Sequence, residues 1–222
     1  MTFDRSRLLS FDLETTGLDP HTARIVTSAM IRIEGRSVDP LELLADPGCE
    51  IPENATKVHG ITTEYAREHG QPHDEVLKET ISRIRAGWDD GLSLVVYNAP
   101  YDLSILRCLD PEFTVTGLVY DPYIIDRIKD PYRKGKRTLT HLCEHYGVRI
   151  DKAHEATSDA LAAARIAWKQ VQVWPELAQM NEGELMEFQA VGFYEVQQNL
   201  RAWLSEQGKD TTRVFTSWPM QG

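Results

Sequence analysis

The sequence predicts an α/β fold, a mixed β-sheet flanked by helices, and three observations carry that expectation. The opening stretch, through Leu44, reads as consecutive strands joined by short turns. Beyond it, buried strands alternate with helical patterns. Near residue 160 an alanine-rich helical stretch is suited to lie close against a sheet.

The first strand is expected at residues 8–13, a short apolar run ended by Thr-Thr-Gly. Residues 25–33 continue as a second strand, and Glu34-Gly35 offers a hairpin turn into a third around residues 41–44. Between residues 62 and 88, apolar residues such as Tyr65, Val76, Leu77, Ile81 and Ile84 recur at helical spacing. Gly70 and Pro72 interrupt them and divide the stretch into two helices. Residues 92–97 form a further buried strand, followed by a helix over 101–109 and a short strand within 115–120. Helices are expected over 138–146 and 156–174, and residues 176–206 are again helical, an extension beyond Pro175.

With 222 residues the chain can bury one α/β domain and carry a modest appendage. The apolar share of 41% and mean hydropathy of -0.39 are those of a water-soluble globule without a membrane segment. The start lacks the apolar stretch and cleavage site of a signal peptide, so a cytoplasmic location is expected. Three cysteines without CxxC spacing suggest neither a disulfide framework nor a redox motif. A net charge of -10 argues against a protein that coats polyanions through its whole surface, which leaves room only for local contact with nucleic acid.

Chemistry concentrates in three places. In Phe11-Asp12-Leu13-Glu14-Thr15-Thr16-Gly17, strand alternation puts Asp12 and Glu14 on one face, where two carboxylates repel unless a hard cation such as Mg²⁺ or Mn²⁺ bridges them. Asn98-Ala-Pro-Tyr-Asp102 follows the second buried strand, which places Asp102 where parallel strands end and α/β sites form. His154-Glu-Ala-Thr-Ser-Asp159 opens the alanine-rich helix and can bring Asp159, with His154 beside it, to the same region.

These motifs resemble those of the DEDDh 3′-to-5′ exonucleases, the family of the proofreading subunit of bacterial replicative DNA polymerase. Residues 11–17 match its FDxETTG, residues 97–102 its HNAxFD with Tyr97 and Tyr101 as departures, and His154 with Asp159 its HxxxxD. Val58-His-Gly-Ile-Thr62 and the helix leading to Val148 agree, and Asp121-Pro-Tyr stands where the family often has Asp-Thr-Leu. The resemblance, over residues 7–174, implies a ribonuclease-H-like fold; with the helical pattern beyond Pro175 it gives an exonuclease domain over 1–175 and a helical extension over 176–222 expected to pack on it. It further implies that Asp12, Glu14 and Asp159 hold one metal ion and that Asp12 bridges to a second supported by Asp102. His154 becomes the general base, and 5′-mononucleotides leave single-stranded or frayed 3′ ends of DNA, with RNA an open alternative. Thr15, Thr16, Gly17, Leu18, His59 and Asn98 become the residues that hold the terminal nucleotide.

Other readings compete with this one. The basic run from Arg127 to Arg137 is either a phosphate contact or a solvated loop. An aspartyl-phosphate phosphatase with Asp12 as nucleophile lacks its downstream lysine and acidic pair. A binding module that kept the fold and lost catalysis is disfavoured because all five catalytic positions are present.

Overall fold

The computed structural model describes residues 2–150 and 155–221. A six-stranded sheet has the order β4-β3-β2-β1-β5-β6. Its strands are β1 (Arg7–Thr15), β2 (Ile25–Glu34), β3 (Ser37–Asp46), β4 (Gln71–Pro72), β5 (Ser93–Val96) and β6 (Val119–Tyr120). β1, β2 and β3 form an antiparallel meander, and β5 and β6 extend the sheet in parallel from β1. This is the mixed α/β sheet read from the sequence, and the fold is ribonuclease-H-like. The β2–β3 hairpin turns on Gly35 and Arg36, one residue later than expected, with Gly35 at φ 63 and Glu34 paired to Ser37.

The helices are α1 (Glu53–His59), α2 (Thr63–His69), α3 (His73–Asp89), α4 (Pro100–Leu109), α5 (Pro122–Lys129), α6 (Leu139–Tyr146), α7 (Ala156–Val173) and α8 (Glu182–Glu206), with a 3₁₀ turn at Pro175–Ala178. α1, α5 and β4 were not anticipated. α1 and α5 are only about two turns long and start at prolines, too short for a periodic pattern to register. β4 is two residues pairing with the end of β3.

Side-chain alternation along β1 divides the interior. Leu9, Phe11 and Leu13 face one core with Ile84, Leu103 and Leu106, the side of α3 and α4. Leu8 faces the other, built with Val95, Ala163, Ala164 and Ala167 on α7. The small alanines let α7 approach the sheet closely, and Ser10 Oγ donates to the Ala160 carbonyl at 2.6 Å across the gap.

α8 closes the β6 edge of the sheet. Gln189 on α8 is fully buried, accepts from Asp121 N at 2.8 Å and donates to the Val119 carbonyl at 2.9 Å, which satisfies strand-edge groups that water cannot reach. Phe193 and Leu185 of the same helix enter the two cores. Among the described residues no helix is long and apolar enough to cross a membrane.

Gln189→Leu would leave both backbone partners unpaired, so it is expected to destabilise the fold by about 2 to 4 kcal/mol. Val191→Ala, an exposed change on the same helix, should cost under about 0.5 kcal/mol. Urea denaturation of the two variants checks the contrast.

Candidate metal centre at the end of the first strand

Asp12 and Glu14 continue the Leu8–Ser10 face of β1, so both point toward the first turn of α7, which carries Asp159. One carboxylate oxygen from each of Asp12, Glu14 and Asp159 lies within 4.8 Å of the other two. Beyond Glu14 the register with β2 shifts, a bulge that turns the chain out of the sheet at Thr15. Asp102 arrives from the opposite layer, in the first turn of α4, and accepts from Leu13 N at 3.0 Å. It is 3% exposed, and its charge is felt at Asp12. The structure therefore brings together all four carboxylates read from the sequence. His154 lies outside the described residues.

No lysine or arginine among the described residues forms an ion pair with Asp12 or Glu14. Burial, followed by repulsion from Asp102, Asp159 and Glu14, holds the Asp12 carboxyl well above the usual carboxylate range. Glu14 is pushed up to about 7 by burial and by the charges of Asp159 and Glu42. Burial also raises Asp102, against the pull of its backbone hydrogen bonds. Closely spaced carboxylate oxygens are a donor set suited to a hard divalent ion, which removes the repulsion among them.

The expected nucleotide contacts surround this cluster unevenly. Thr15 Oγ1 donates to the Gly17 carbonyl at 3.0 Å, Arg24 N donates to Thr16 Oγ1 at 3.0 Å, and Leu18 projects from the turn 84% exposed. His59 lies with Glu14, Thr27, Lys57 and Tyr65 around a cavity of about 530 Å³. Its Nδ1 accepts from Ile61 N at 3.1 Å, and burial lowers its pKa. Asn98 sits in the left-handed region at φ 62, where the chain turns from β5 into α4.

Several residues that shape the site escaped the sequence reading. The Tyr101 hydroxyl lies 2.6 Å from Thr15 Oγ1 and 2.9 Å from the Gly17 carbonyl, so it ties α4 to the turn after β1. The signal was present, since Tyr101 departs from the family's phenylalanine by this hydroxyl alone. Asp121, completely buried, accepts from Asn98 N and Ala99 N at 2.9 Å each and caps α5 through Tyr123 N at 3.0 Å. It thereby fixes the turn that presents Asp102. Glu42 accepts a hydrogen bond from Thr157 Oγ1 beside the cluster, and an alternating β3 gave no hint of it.

In the basic run, Arg133 and Arg137 both bind the buried carboxylate of Asp126, and Lys129 pairs with Glu176. These three hold a loop in place. Lys134 and Lys136 remain exposed.

A sequence model of the family RNase_T, described as exonuclease, matches residues 9–167. The chain is similar to the PolC-type DNA polymerase III of Thermotoga petrophila, with 27% identity over 79% of this chain and 13% of that protein. It is similar as well to that of Oceanobacillus iheyensis, with 30% identity over 79% of this chain and 12% of that one. The chain thus spans only about an eighth of the length of these relatives. Its fold is similar to that of Escherichia coli exonuclease I in complex with a dA16 oligonucleotide, with a TM-score of 0.63, 22% identity and coverage of 89% of this chain and 45% of that one. Exonuclease X in complex with 5′-overhanging duplex DNA superposes with a TM-score of 0.61 at 17% identity, over 82% of this chain and 99% of that one.

A carboxylate whose folded pKa lies above its unfolded one weakens the fold as pH rises from the ordinary carboxylate range through the raised value. With EDTA present, Asp12→Asn should therefore melt several degrees higher than the parent at pH 8, by a margin that shrinks toward pH 5, since about 1 kcal/mol moves the midpoint of such a chain by roughly 2–4 °C. Mg²⁺ or Mn²⁺ should raise the parent's midpoint and leave that of Asp12→Asn in place. Thermal melts across pH, with and without metal, check both expectations; equal metal-free midpoints at pH 8 would contradict them.

Proposed function

The chain belongs to the RNase_T exonuclease family, and from that premise we propose that it hydrolyses the terminal phosphodiester bond at 3′ ends of DNA and releases 5′-mononucleotides. The observation that carries this reading is the approach of the Asp12, Glu14 and Asp159 oxygens to within 4.8 Å of one another at the end of β1. A carboxylate cluster of this kind does no covalent chemistry on a phosphodiester; its use is to gather divalent cations where the phosphate binds.

Asp12, Glu14 and Asp159 would hold one Mg²⁺ or Mn²⁺, and Asp12 would share a second with Asp102. Such ions, when bound, activate water and offset the charge that builds on the departing 3′ oxygen. The residues of the chain do the rest. Thr15, Thr16 and Gly17 offer the turn against which the terminal nucleotide rests, with Leu18 as an exposed apolar surface for the base or sugar and His59 and Asn98 at the flanks. Tyr101 and Asp121 hold that turn and the Asp102 turn at fixed separation. His154 accepts the proton of the attacking water. Single-stranded or frayed 3′ ends are the substrate this arrangement fits, in keeping with the oligonucleotides that exonuclease I carries in its complexes.

Incubation with DNA and RNA oligonucleotides labelled at either end tests the reading. Stepwise shortening from a free 3′-hydroxyl with release of 5′-mononucleotides is expected; it should cease in EDTA and return with Mg²⁺ or Mn²⁺. Asp12→Asn and Glu14→Gln should be folded and nearly inactive. Shortening from the 5′ end, cutting of a closed circle, or full activity of either variant would contradict it.

The role of His154 has its own test. A base near its ordinary pKa of about 6.5 is lost to protonation in mild acid, so the single-turnover rate should rise with pH through that region. His154→Ala should keep metal and DNA binding, lose roughly 10²- to 10⁴-fold in turnover, and lack that rising limb. Near-normal turnover with the same limb would remove His154 from the mechanism.

A further inference from the structure

On the outer side of α7, away from the carboxylates, the fold collects positive charge. α6 ends at Gly147 in the left-handed conformation at φ 64, and the chain turns back over α7. Val148 and Ile150 pack inward against Leu142, Ala162 and Ile166, which leaves Arg149 between them on the surface. Arg165, Trp168 and Lys169, spaced three and four residues apart, face the same way from α7. Together they line a cavity of about 420 Å³ whose wall, among the described residues, includes no acidic side chain. Arg165 Nη1 donates to the Arg149 carbonyl at 3.0 Å. The Trp168 ring has the Arg5 guanidinium 5.2 Å and the Lys169 ammonium 5.5 Å from its centre.

None of Arg5, Arg149, Arg165 and Lys169 forms an ion pair with a carboxylate among the described residues. That is unexpected in a chain with 34 acidic against 24 basic side chains, where a carboxylate partner is easily supplied. Four cations gathered in one place repel each other, and a polyanion relieves that repulsion.

We propose that the cavity formed by Arg149, Arg165, Trp168 and Lys169, with Arg5 at its rim, binds the sugar-phosphate backbone of a nucleic-acid strand. The proposal rests on the exonuclease reading for the identity of the polyanion. Arg165, Trp168 and Lys169 share one rigid helix with Asp159 and lie six to ten positions beyond it, roughly 9–15 Å along its axis. At about 3.4 Å per nucleotide of stacked strand, that span corresponds to about three or four nucleotides. The cavity therefore engages strand upstream of the terminal bond, and its contribution is to affinity for long substrates, with no part in the hydrolytic step.

Arg149→Gln, Arg165→Gln and Lys169→Gln combined test this, read by fluorescence anisotropy of a labelled single-stranded DNA of about 20 nucleotides in EDTA, where no cleavage interferes. Loss of three phosphate contacts should weaken binding by about tenfold or more and reduce the slope of log affinity against log salt by about 2. Hydrolysis of a trinucleotide in Mg²⁺ should keep its kcat and KM. Unchanged affinity and salt slope for the long strand would overturn the proposal, as would equal affinity of the parent for polyglutamate of matched charge. Because binding is read without cleavage, a parent that binds through these residues and yet releases no mononucleotide overturns the exonuclease reading and leaves the cavity's role standing.

Discussion

The hydrogen bond from Ser10 Oγ to the Ala160 carbonyl bridges β1 and α7, and the arrangement of the carboxylates follows from it. Ser10, Asp12 and Glu14 share a face of the strand, while Asp159 precedes Ala160 on the helix. When the small side chains of Ala160, Ala163, Ala164 and Ala167 seat the helix on the sheet, Asp159 is carried to the two strand acids. A bulkier residue at any of these alanines would lift the helix and part the cluster. On the reverse face of the same strand, Leu9, Phe11 and Leu13 anchor the core against which α4 packs, and α4 delivers Asp102 to the backbone of Leu13. A single strand thus sets the position of all four acids, and packing holds these like charges together against their mutual repulsion.

This explains which features were legible in the sequence. Strand alternation in residues 8–14 and the alanines of α7 are local patterns with direct geometric meaning, so the sheet, the major helices and the gathering of Asp12, Glu14, Asp102 and Asp159 could be anticipated. α1 and α5 could not, because two-turn helices offer too few residues to show a period; α5 is held by Pro122 at its first turn and the Asp121 cap, and α1 has no side-chain cap of its own. Tyr101, Asp121 and Glu42 act through contacts with residues distant in the chain, such as Thr15, Asn98 and Thr157, and spacing carries no trace of such contacts. The basic run near residue 133 shows the converse. Its density left a phosphate contact and a solvated loop both open, whereas the fold commits Arg133 and Arg137 to the buried Asp126.

Charge is distributed with the same logic. Asp126 and Asp121 are both buried, and both are satisfied, the first by two arginines and the Tyr146 hydroxyl at 2.8 Å, the second by backbone N–H groups. Burial pushes Asp121 up to about 6 as well, but Asp12 and Glu14 face one another and Asp159, so repulsion between carboxylates adds to burial in raising their pKa values. A fold that satisfies its structural acids so fully and leaves these two without a cationic partner among the described residues has placed its electrostatic strain where a divalent ion can relieve it.

On this basis the strained cluster is a divalent-cation site assembled by β1, α4 and α7. Titration of the protein with Mn²⁺, following free ion by electron paramagnetic resonance, tests it most directly. Saturable binding to the parent that is abolished by Asp12→Asn, and reduced in ion count by Asp102→Asn, is the predicted result. Binding to the parent no tighter than to Asp12→Asn would contradict the account.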